Sequence, residues 1–143
     1  MKKIIIGADH RGFDLKRALI EKFTEYEWID IGTSDKEKTD YPIYAKKLCD
    51  LLLSGQGDFG ILICGSGIGM SIAANRFPGI YAGLCWNEQV AKLAKEDDGV
   101  NVLVLPSELV LFEDAFLIFK AWLDAKFKDG RYKERILMID KKY

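Results

Sequence analysis

Histidine is almost absent from this 143-residue chain, and cysteine is scarce. The chain has one histidine, His10, and three cysteines, Cys49, Cys64 and Cys85, none of them in a C-x-x-C spacing. An odd number of cysteines without such spacing argues against a disulfide framework and against a zinc site. The sequence therefore predicts no metal site and a reducing, cytoplasmic environment.

Long apolar runs and an excess of basic residues are also lacking. No apolar run approaches the roughly 20 residues that a membrane-spanning helix needs. No charged and then apolar leader precedes the short strand expected at residues 2–6. Lysine and arginine number 21 against 22 aspartates and glutamates, without a basic stripe. We therefore expect no membrane and no nucleic acid among the partners.

Apolar runs typical of strands alternate along the chain with segments typical of helices. Strands are predicted at Lys3–Gly7, Trp28–Ile31, Phe59–Cys64, Ile80–Cys85 and Asn101–Leu105. Helices are predicted at Phe13–Glu25, Tyr41–Ser54, Gly67–Arg76, Glu88–Glu96, Ser107–Phe127 and Arg131–Lys141. This alternation predicts an α/β fold over a single domain, residues 1–143. The fold expected is a Rossmann-like three-layer sandwich, a five-stranded parallel sheet with helices on both faces.

The run Cys-Gly-Ser-Gly-Ile-Gly from Cys64 to Gly69 carries the strongest functional signal. Glycines let backbone N–H groups converge on an anion, and the following helix adds the positive end of its dipole. The same dipole favours the thiolate, so we expect a lowered pKa for Cys64. A base or nucleophile beside an anion cradle suits carbonyl or enediolate chemistry. Alternatively, the glycines only tighten a turn and Cys64 is a small buried apolar residue.

Two ionisable residues, Asp9 and His10, follow the first predicted strand. Ligands of parallel sheets bind beyond the carboxyl ends of the strands, so both residues are expected at the same edge as Cys64. The alternatives are that Asp9 caps the first helix and that His10 is an ordinary surface histidine.

Three candidates for ligand binding lie on predicted helices. Tyr41 belongs to Thr-Asp-Tyr-Pro, a pattern typical of a helix start, and its hydroxyl could orient a polyol or its ring could merely pack. Arg131 and Arg135 are four residues apart, so on a helix they could clamp one phosphate or simply face solvent. The helix at Ser107–Phe127 is apolar around much of its circumference, so we expect the sheet on one side of it and another subunit on the other.

Together these motifs resemble the ribose-5-phosphate isomerase B family, within a group that includes allose- and galactose-6-phosphate isomerases. The resemblance runs nearly end to end. It is carried by residues 7–13, 39–42, 63–75, 101–103 and 129–131 with Arg135. It implies a cofactor-independent aldose–ketose isomerase of a phosphorylated sugar, with ribose 5-phosphate to ribulose 5-phosphate as the expected reaction. It also implies a homodimer with shared active sites, or a dimer of such dimers.

The resemblance assigns a role to each matching residue. Cys64 would move the proton between C1 and C2 of the open-chain sugar. The loop that follows would stabilise the enediolate, and Ser66 stands there in place of the commoner threonine. The remaining matches would contact the substrate. The loop residues are Gly65, Ser66, Gly67, Ile68 and Gly69; the sugar contacts are Asp9, His10 and Tyr41; and the phosphate contacts are Arg131 and Arg135.

Three residues depart from the family pattern. The family usually has histidine where Asp97 stands and asparagine where Asp98 stands, and that histidine is assigned to opening the furanose ring. Glu108 occupies a position where a basic residue is common. Carboxylates near a phosphosugar oppose its binding and raise the pKa of a nearby thiol. Asp97 could take over ring opening, with Asp98 beside it at the substrate; otherwise the enzyme takes only the small open-chain fraction of its sugar.

Two other functions remain open at this point. The chain could be a divergent paralogue acting on another sugar phosphate, of the allose- or galactose-6-phosphate type, or as a subunit beside a more complete partner. It could also be a non-catalytic module that binds a sugar phosphate or a nucleotide. Such a module would not need Cys64.

Overall fold

A computed structural model describes residues 1–141 of the chain; residues 142 and 143 of the predicted domain lie outside the described residues. The strands are β1 (Lys3–Ala8), β2 (Glu27–Asp30), β3 (Phe59–Cys64), β4 (Ala82–Leu84) and β5 (Val102–Pro106). The helices are α1 (Phe13–Lys22), α2 (Tyr41–Leu53), α3 (Ile68–Ala74), α4 (Glu88–Asp98), α5 (Phe112–Asp124) and α6 (Arg131–Ile139). The predicted alternation of strands and helices is confirmed.

The five strands form one parallel sheet in the order β2-β1-β3-β5-β4. After β1 the chain adds β2 on one side, and it then returns to add β3 on the other side. The strand order therefore reverses between β1 and β3, and open α/β sheets bind ligands at such a reversal. The predicted Rossmann-like sheet is confirmed, and it leaves a crevice at the carboxyl ends of β1 and β3.

Two apolar layers cover the two faces of the sheet. Side chains alternate between the faces along each strand, so Ile4 and Ile6 of β1 pack with α1, α4 and α5, whereas Ile5 packs with α2 and α3. In β3, Cys64 belongs to the layer of α2 and α3. The sheet positions the end of β3, and hence Cys64, from within the core.

The fifth helix begins later than its sequence predicts. After β5, the backbone N–H groups of Ser107 and Glu108 donate to the carbonyls of Cys64 and Gly65 at 2.9 and 3.0 Å, which extends the pairing of β3 with β5. The chain then turns, with the N–H of Leu109 donating to the carbonyl of Pro106 at 2.9 Å, so Ser107 lies in a sheet extension and turn, and α5 starts at Phe112. The predicted start of this helix was therefore wrong.

Helix α5 buries one face within this chain. Its buried residues are Ala115, Ile118, Phe119, Trp122 and Leu123. Leu117, on the other face, is 50% exposed. The prediction that α5 packs against the sheet on one side is therefore confirmed. The other side, which was predicted to face another subunit, is exposed in a single chain.

A buried lysine joins α4 to α5. Lys95 is 5% exposed, and its Nζ donates to the carbonyl of Trp122 at 2.9 Å. The same nitrogen lies 4.2 Å from the ring centroid of Phe59 and 4.6 Å from that of Trp122. Burial is the largest cause that lowers the pKa of Lys95; the charge of Lys2 adds to it, the charge of Asp124 opposes it, and together they bring the pKa to about 8.

Within residues 1–141, no helix combines the length and the apolar composition that crossing a membrane requires.

Candidate functional site

A cavity of about 300 Å³ lies where β1 and β3 end side by side. It brings together seven of the residues predicted from sequence and adds four others. The predicted residues lining it are Asp9, His10, Tyr41, Cys64, Gly65, Ser66 and Gly69, and the others are Arg11, Lys38, Thr39 and Asp40. The predicted meeting of Asp9, His10 and Cys64 at one edge of the sheet is confirmed.

A larger hollow of about 620 Å³ lies between α4 and α5. Its lining includes Glu88, Lys92 and Asp124 but no cysteine, no histidine and none of the predicted site residues. Catalysis depends on convergent reactive groups more than on size. The smaller cavity is therefore the better candidate for an active site.

Cys64 lies at the floor of the 300 Å³ cavity and is 5% exposed. Burial raises the pKa of its thiol and outweighs the opposing hydrogen bonds from the backbone N–H groups of Met70, Gly67 and Ser66. The negative charge of Asp9 raises this pKa further. The expected lowering of the Cys64 pKa was therefore wrong, because the core position of the sulfur outweighs the loop and the helix terminus.

The loop after Cys64 is shaped so that its backbone faces the sulfur. Gly67 has φ +77°, a left-handed conformation that side chains disfavour, and a Cβ there would also overlap Leu84. The Oγ of Ser66 accepts a hydrogen bond from the N–H of Ile68 at 3.2 Å, which fixes the turn into α3. Gly67 and Ile68 do not line the cavity, so their part in the site is the path of their backbone. The sequence did not predict a role for Met70. Its backbone N–H reaches the Cys64 sulfur because Met70 lies in the first turn of α3, where N–H groups have no partner within the helix.

Asp9 forms the wall of the cavity next to Cys64. Its carboxylate is 5% exposed and accepts hydrogen bonds from the N–H groups of Arg11 at 3.0 Å and Gly12 at 3.2 Å. Gly12 is the residue before α1 and makes no side-chain cap. Asp9 therefore holds the turn between β1 and α1, close to the capping role considered from sequence, and also faces the cavity.

His10 and Tyr41 also line the cavity. The Nδ1 of His10 lies 3.2 Å from both the backbone nitrogen and the carbonyl oxygen of Thr39, so it is engaged in either tautomer. Nε2 is then the ring nitrogen that can meet a ligand. The ring of Tyr41 lies against Gly69, where a Cβ would come within 2.7 Å of Cζ. Both side chains are held by contacts that leave one polar atom for a substrate.

Six predicted site residues do not line this cavity within one chain: Gly67 and Ile68 of the loop, described above, and Asp97, Asp98, Arg131 and Arg135. Asp97 accepts a hydrogen bond at 2.9 Å from the Nζ of Lys128, and Asp98 lines a separate hollow. Arg131 is exposed on α6, and the guanidinium of Arg135 lies 5.5 Å from the ring centroid of Tyr132.

Sequence reasoning missed Arg11, Lys38, Thr39 and Asp40 as lining residues. A signal existed for Arg11, because it directly follows Asp9 and His10 at the carboxyl end of β1. Among residues 1–141, no cluster of three or more histidine, cysteine, aspartate or glutamate side chains could hold a metal ion.

Comparisons with known proteins agree with one another. The family model described as Ribose/Galactose Isomerase matches residues 4–139. Ribose-5-phosphate isomerase B of Escherichia coli is 44% identical over 97% of this chain and 95% of its own length. A ribose 5-phosphate isomerase from Thermotoga maritima has a TM-score of 0.95 and 45% identity over 97% of each chain. Ribose-5-phosphate isomerase B from Mycoplasma genitalium, solved with bound ribulose-5-phosphate, has a TM-score of 0.90 and 36% identity, covering 96% of this chain and 93% of its own.

Proposed function

This chain belongs to the ribose/galactose isomerase family, and from that premise we propose that it interconverts ribose 5-phosphate and ribulose 5-phosphate without a cofactor. That the chain is a sugar-phosphate isomerase follows from its relatives. One observation supports a reaction at the cavity described above more than any other. A buried cysteine, Cys64, accepts hydrogen bonds at its sulfur from three backbone N–H groups and shares the cavity with Asp9, whose charge raises the pKa of the thiol.

We assign the proton transfer to Cys64. In the forward direction its thiolate takes the proton from C2 of the open-chain aldose; the C–H electron pair forms the C1–C2 double bond of an enediolate, while the π pair of the C1 carbonyl moves onto its oxygen. The C1–C2 π pair then takes the proton back from the thiol at C1, and the hydroxyl on C2 loses its proton to the C1 oxygen as the C2 carbonyl forms. A base that reaches both carbons, with preorganised N–H donors for the oxygens, is what this step requires.

The walls of the cavity would hold the sugar. The Nε2 of His10 and the hydroxyl of Tyr41 are placed to hydrogen-bond its hydroxyl groups. Ser66 is exposed at the start of the loop and offers a hydroxyl next to the N–H groups that would bind the enediolate. These assignments use polar atoms that the fold leaves free.

A second copy of the chain would complete the site. Arg131 and Arg135 are exposed on α6 and do not line their own cavity, which is consistent with a phosphate clamp that acts on a neighbour. Asp97 and Asp98, at the end of α4, would reach the neighbour's sugar in the same way, with Asp97 as the ring-opening base. We therefore propose a homodimer with shared sites, either alone or as a dimer of dimers.

The proposed setting is cytoplasmic pentose phosphate metabolism. All three cysteines are free and buried, which suits a reducing compartment.

The test is an assay of the purified protein on a panel of pentose and hexose phosphates, repeated with Cys64→Ala. Ribose 5-phosphate should be the best aldose substrate. Loss of a general base should cut turnover by about 10²- to 10⁴-fold while the affinity for sugar phosphate changes little. Cys49→Ala is the matched control, since Cys49 is fully buried and does not line the cavity.

Three outcomes would count against the proposal. Preference for a hexose phosphate would point to the paralogue that acts on another sugar. Binding without turnover by the native protein would point to a binding module. Full turnover by Cys64→Ala would show that Cys64 does not carry the proton.

A further inference from the structure

The backbone of Arg11 is fixed on both sides at the rim of the cavity. Its N–H donates to the carboxylate of Asp9 at 3.0 Å, and its carbonyl accepts from the hydroxyl of Ser107 at 2.9 Å. That hydroxyl also lies 3.2 Å from the carbonyl oxygen of Cys64. Arg11 is therefore held in register with the catalytic strand end, although it belongs to the turn after β1.

The side chain of Arg11 lies over Gly65, the residue that follows Cys64. A Cβ at Gly65 would come within 2.9 Å of the Arg11 Cδ and 3.1 Å of its Nη1, and within 3.0 Å of the Glu108 Oε2. The Nε of Arg11 is 3.5 Å from the Oε1 of Glu108. The absence of a side chain at Gly65 thus makes room for an ion pair directly above the cavity floor.

The ion pair between Arg11 and Glu108 is weak enough to exchange. Its shortest separation is long for a charge-assisted hydrogen bond, and the two side chains are 57% and 56% exposed. Because the pair joins Nε to the carboxylate, the guanidinium has further N–H groups that an incoming anion can use.

Carboxylates are numerous around the cavity, so an anionic substrate needs a cation at the rim where Arg11 lies. Asp9 and Asp40 line the cavity and Glu108 lies beside it, whereas Arg11 and Lys38 are the lining side chains that carry a full positive charge within the described part of this chain. A sugar phosphate brings about two negative charges at neutral pH. Its reacting carbons must reach the buried sulfur of Cys64, so its phosphate extends toward the exposed rim where Arg11 lies.

We propose that Arg11 binds the phosphate of the substrate, and that Glu108 is the partner it leaves when substrate arrives. This proposal rests on the function proposed above, because it takes the substrate to be a sugar phosphate. Glu108 holds the guanidinium over Gly65 in the empty site and opposes anions there, so it lowers the affinity for substrate. Arg11 would act together with the cations of a second subunit.

The experiment compares Arg11→Ala with Arg17→Ala. Arg17 is a matched control because it is 60% exposed, pairs with Glu21 at 3.3 Å and does not line the cavity. Loss of a charge-assisted contact should raise the KM for ribose 5-phosphate about tenfold or more in Arg11→Ala, with kcat within about threefold of the native value. The dissociation constant of inorganic phosphate, measured by calorimetry, should rise in parallel. Arg17→Ala should leave all three quantities unchanged.

Two further variants test the roles of geometry and charge. Arg11→Lys should recover part of the affinity, since it restores the charge without the planar fork. Glu108→Gln should tighten phosphate binding about two- to fivefold, since it removes a like charge and frees Arg11.

Native KM and phosphate affinity in Arg11→Ala would overturn the proposal. A loss confined to kcat would also overturn it, because it would place Arg11 at the reacting carbons. Weaker phosphate binding by Glu108→Gln would overturn the role given to Glu108. If the native protein turned over no sugar phosphate, the proposed function would fail. The calorimetric titration with inorganic phosphate would still decide the role of Arg11, since it needs no turnover.

Discussion

At the scale of single residues, opposing effects act on the pKa of the Cys64 thiol. Burial and the charge of Asp9 raise the pKa of Cys64, and three backbone N–H groups lower it by a smaller amount. The resting enzyme therefore holds Cys64 mainly as the neutral thiol near pH 7. In the proposed mechanism only the thiolate accepts the proton of C2, so the fraction ionised sets the rate.

The pH dependence of activity follows from this balance. Because the Cys64 pKa is raised, the thiolate fraction grows throughout the neutral and mildly alkaline range, and kcat/KM should rise by up to about tenfold per pH unit. Asp9→Asn keeps an oxygen that can accept the N–H groups of Arg11 and Gly12 but removes the charge, so it should move the rise to lower pH. Steady-state profiles between pH 6 and 10 test both statements. A plateau already below pH 8, unmoved by Asp9→Asn, would contradict them.

A buried lysine carries the coupling between two helices at the scale of secondary structure. The carbonyl of Trp122 lies in the last turn of α5, where it has no helical N–H partner, and Lys95 of α4 supplies the missing donor. The contact satisfies a buried acceptor and places a positive charge at the negative end of a helix dipole. The contact also removes an ammonium group from water. This disfavours the charged form and lowers the pKa of Lys95.

This cost makes stability depend on pH. The pKa of Lys95 falls from its ordinary value of 10.5 to about 8 on folding. Between these values the unfolded chain binds more protons, so the free energy of unfolding should rise with pH by about 2–3 kcal/mol through this group. Lys95→Met should lack that part of the rise. Urea unfolding of both proteins between pH 7 and 10 measures the difference. Parallel pH profiles would show that Lys95 does not titrate in the fold.

Local patterns predicted the elements well where burial is continuous along the chain. Runs such as 4–6 and 61–63 are apolar on both faces, which is typical of parallel strands, and both became central strands. Ser107 was misassigned because its backbone pairs with Cys64, 43 residues away, and no local pattern records that contact. The pKa of Cys64 was misjudged for a related reason, since its burial depends on side chains from two helices packed over the strand.

The candidate site divides in the same way between what local sequence reveals and what it cannot. Asp9 follows β1 and Cys64 is the last residue of β3, so the rule that ligands bind beyond the carboxyl ends of parallel strands predicted that the two meet. Arg11 and Glu108 are far apart in sequence, and their ion pair over Gly65 exists only in the fold. The proposed contact of α6 with a neighbour's site would depend on a second chain, so the sequence of one chain could not place Arg131 there.

At the scale of the whole molecule, the proposed active unit contains two chains. The cavity of one chain holds Cys64, whereas the proposed phosphate clamp of Arg131 and Arg135 lies on an exposed helix away from it. A shared site would pair the Cys64 of one copy with the arginines of the other. Each chain would then contribute half of two sites.

Mixing two inactive variants tests this arrangement. Cys64→Ala and the double variant Arg131→Ala with Arg135→Ala should each have little activity alone. After they are unfolded together and refolded, random pairing gives heterodimers in which one site has both native halves, so about a quarter of native activity should return. Each variant refolded alone is the control. Activity no higher than the sum of those two controls would mean that each site lies within one chain.

Backbone hydrogen bonds continue beyond the ends of the strands at the cavity floor, so the floor is held more firmly than the rim. The backbone N–H of Asp9 donates to the carbonyl of Ile63, and the backbone N–H groups of Ser107 and Glu108 donate to the carbonyls of Cys64 and Gly65, so the backbone at the cavity floor is part of the central hydrogen-bond ladder. Displacing the backbone of Cys64 would require breaking hydrogen bonds of that ladder, and core strands open far less often than exposed loops do. Exposed rim residues such as Lys38 and Asp40 can fluctuate by local opening alone. Rim substitutions can therefore change which sugar is held while the reacting atoms keep their positions.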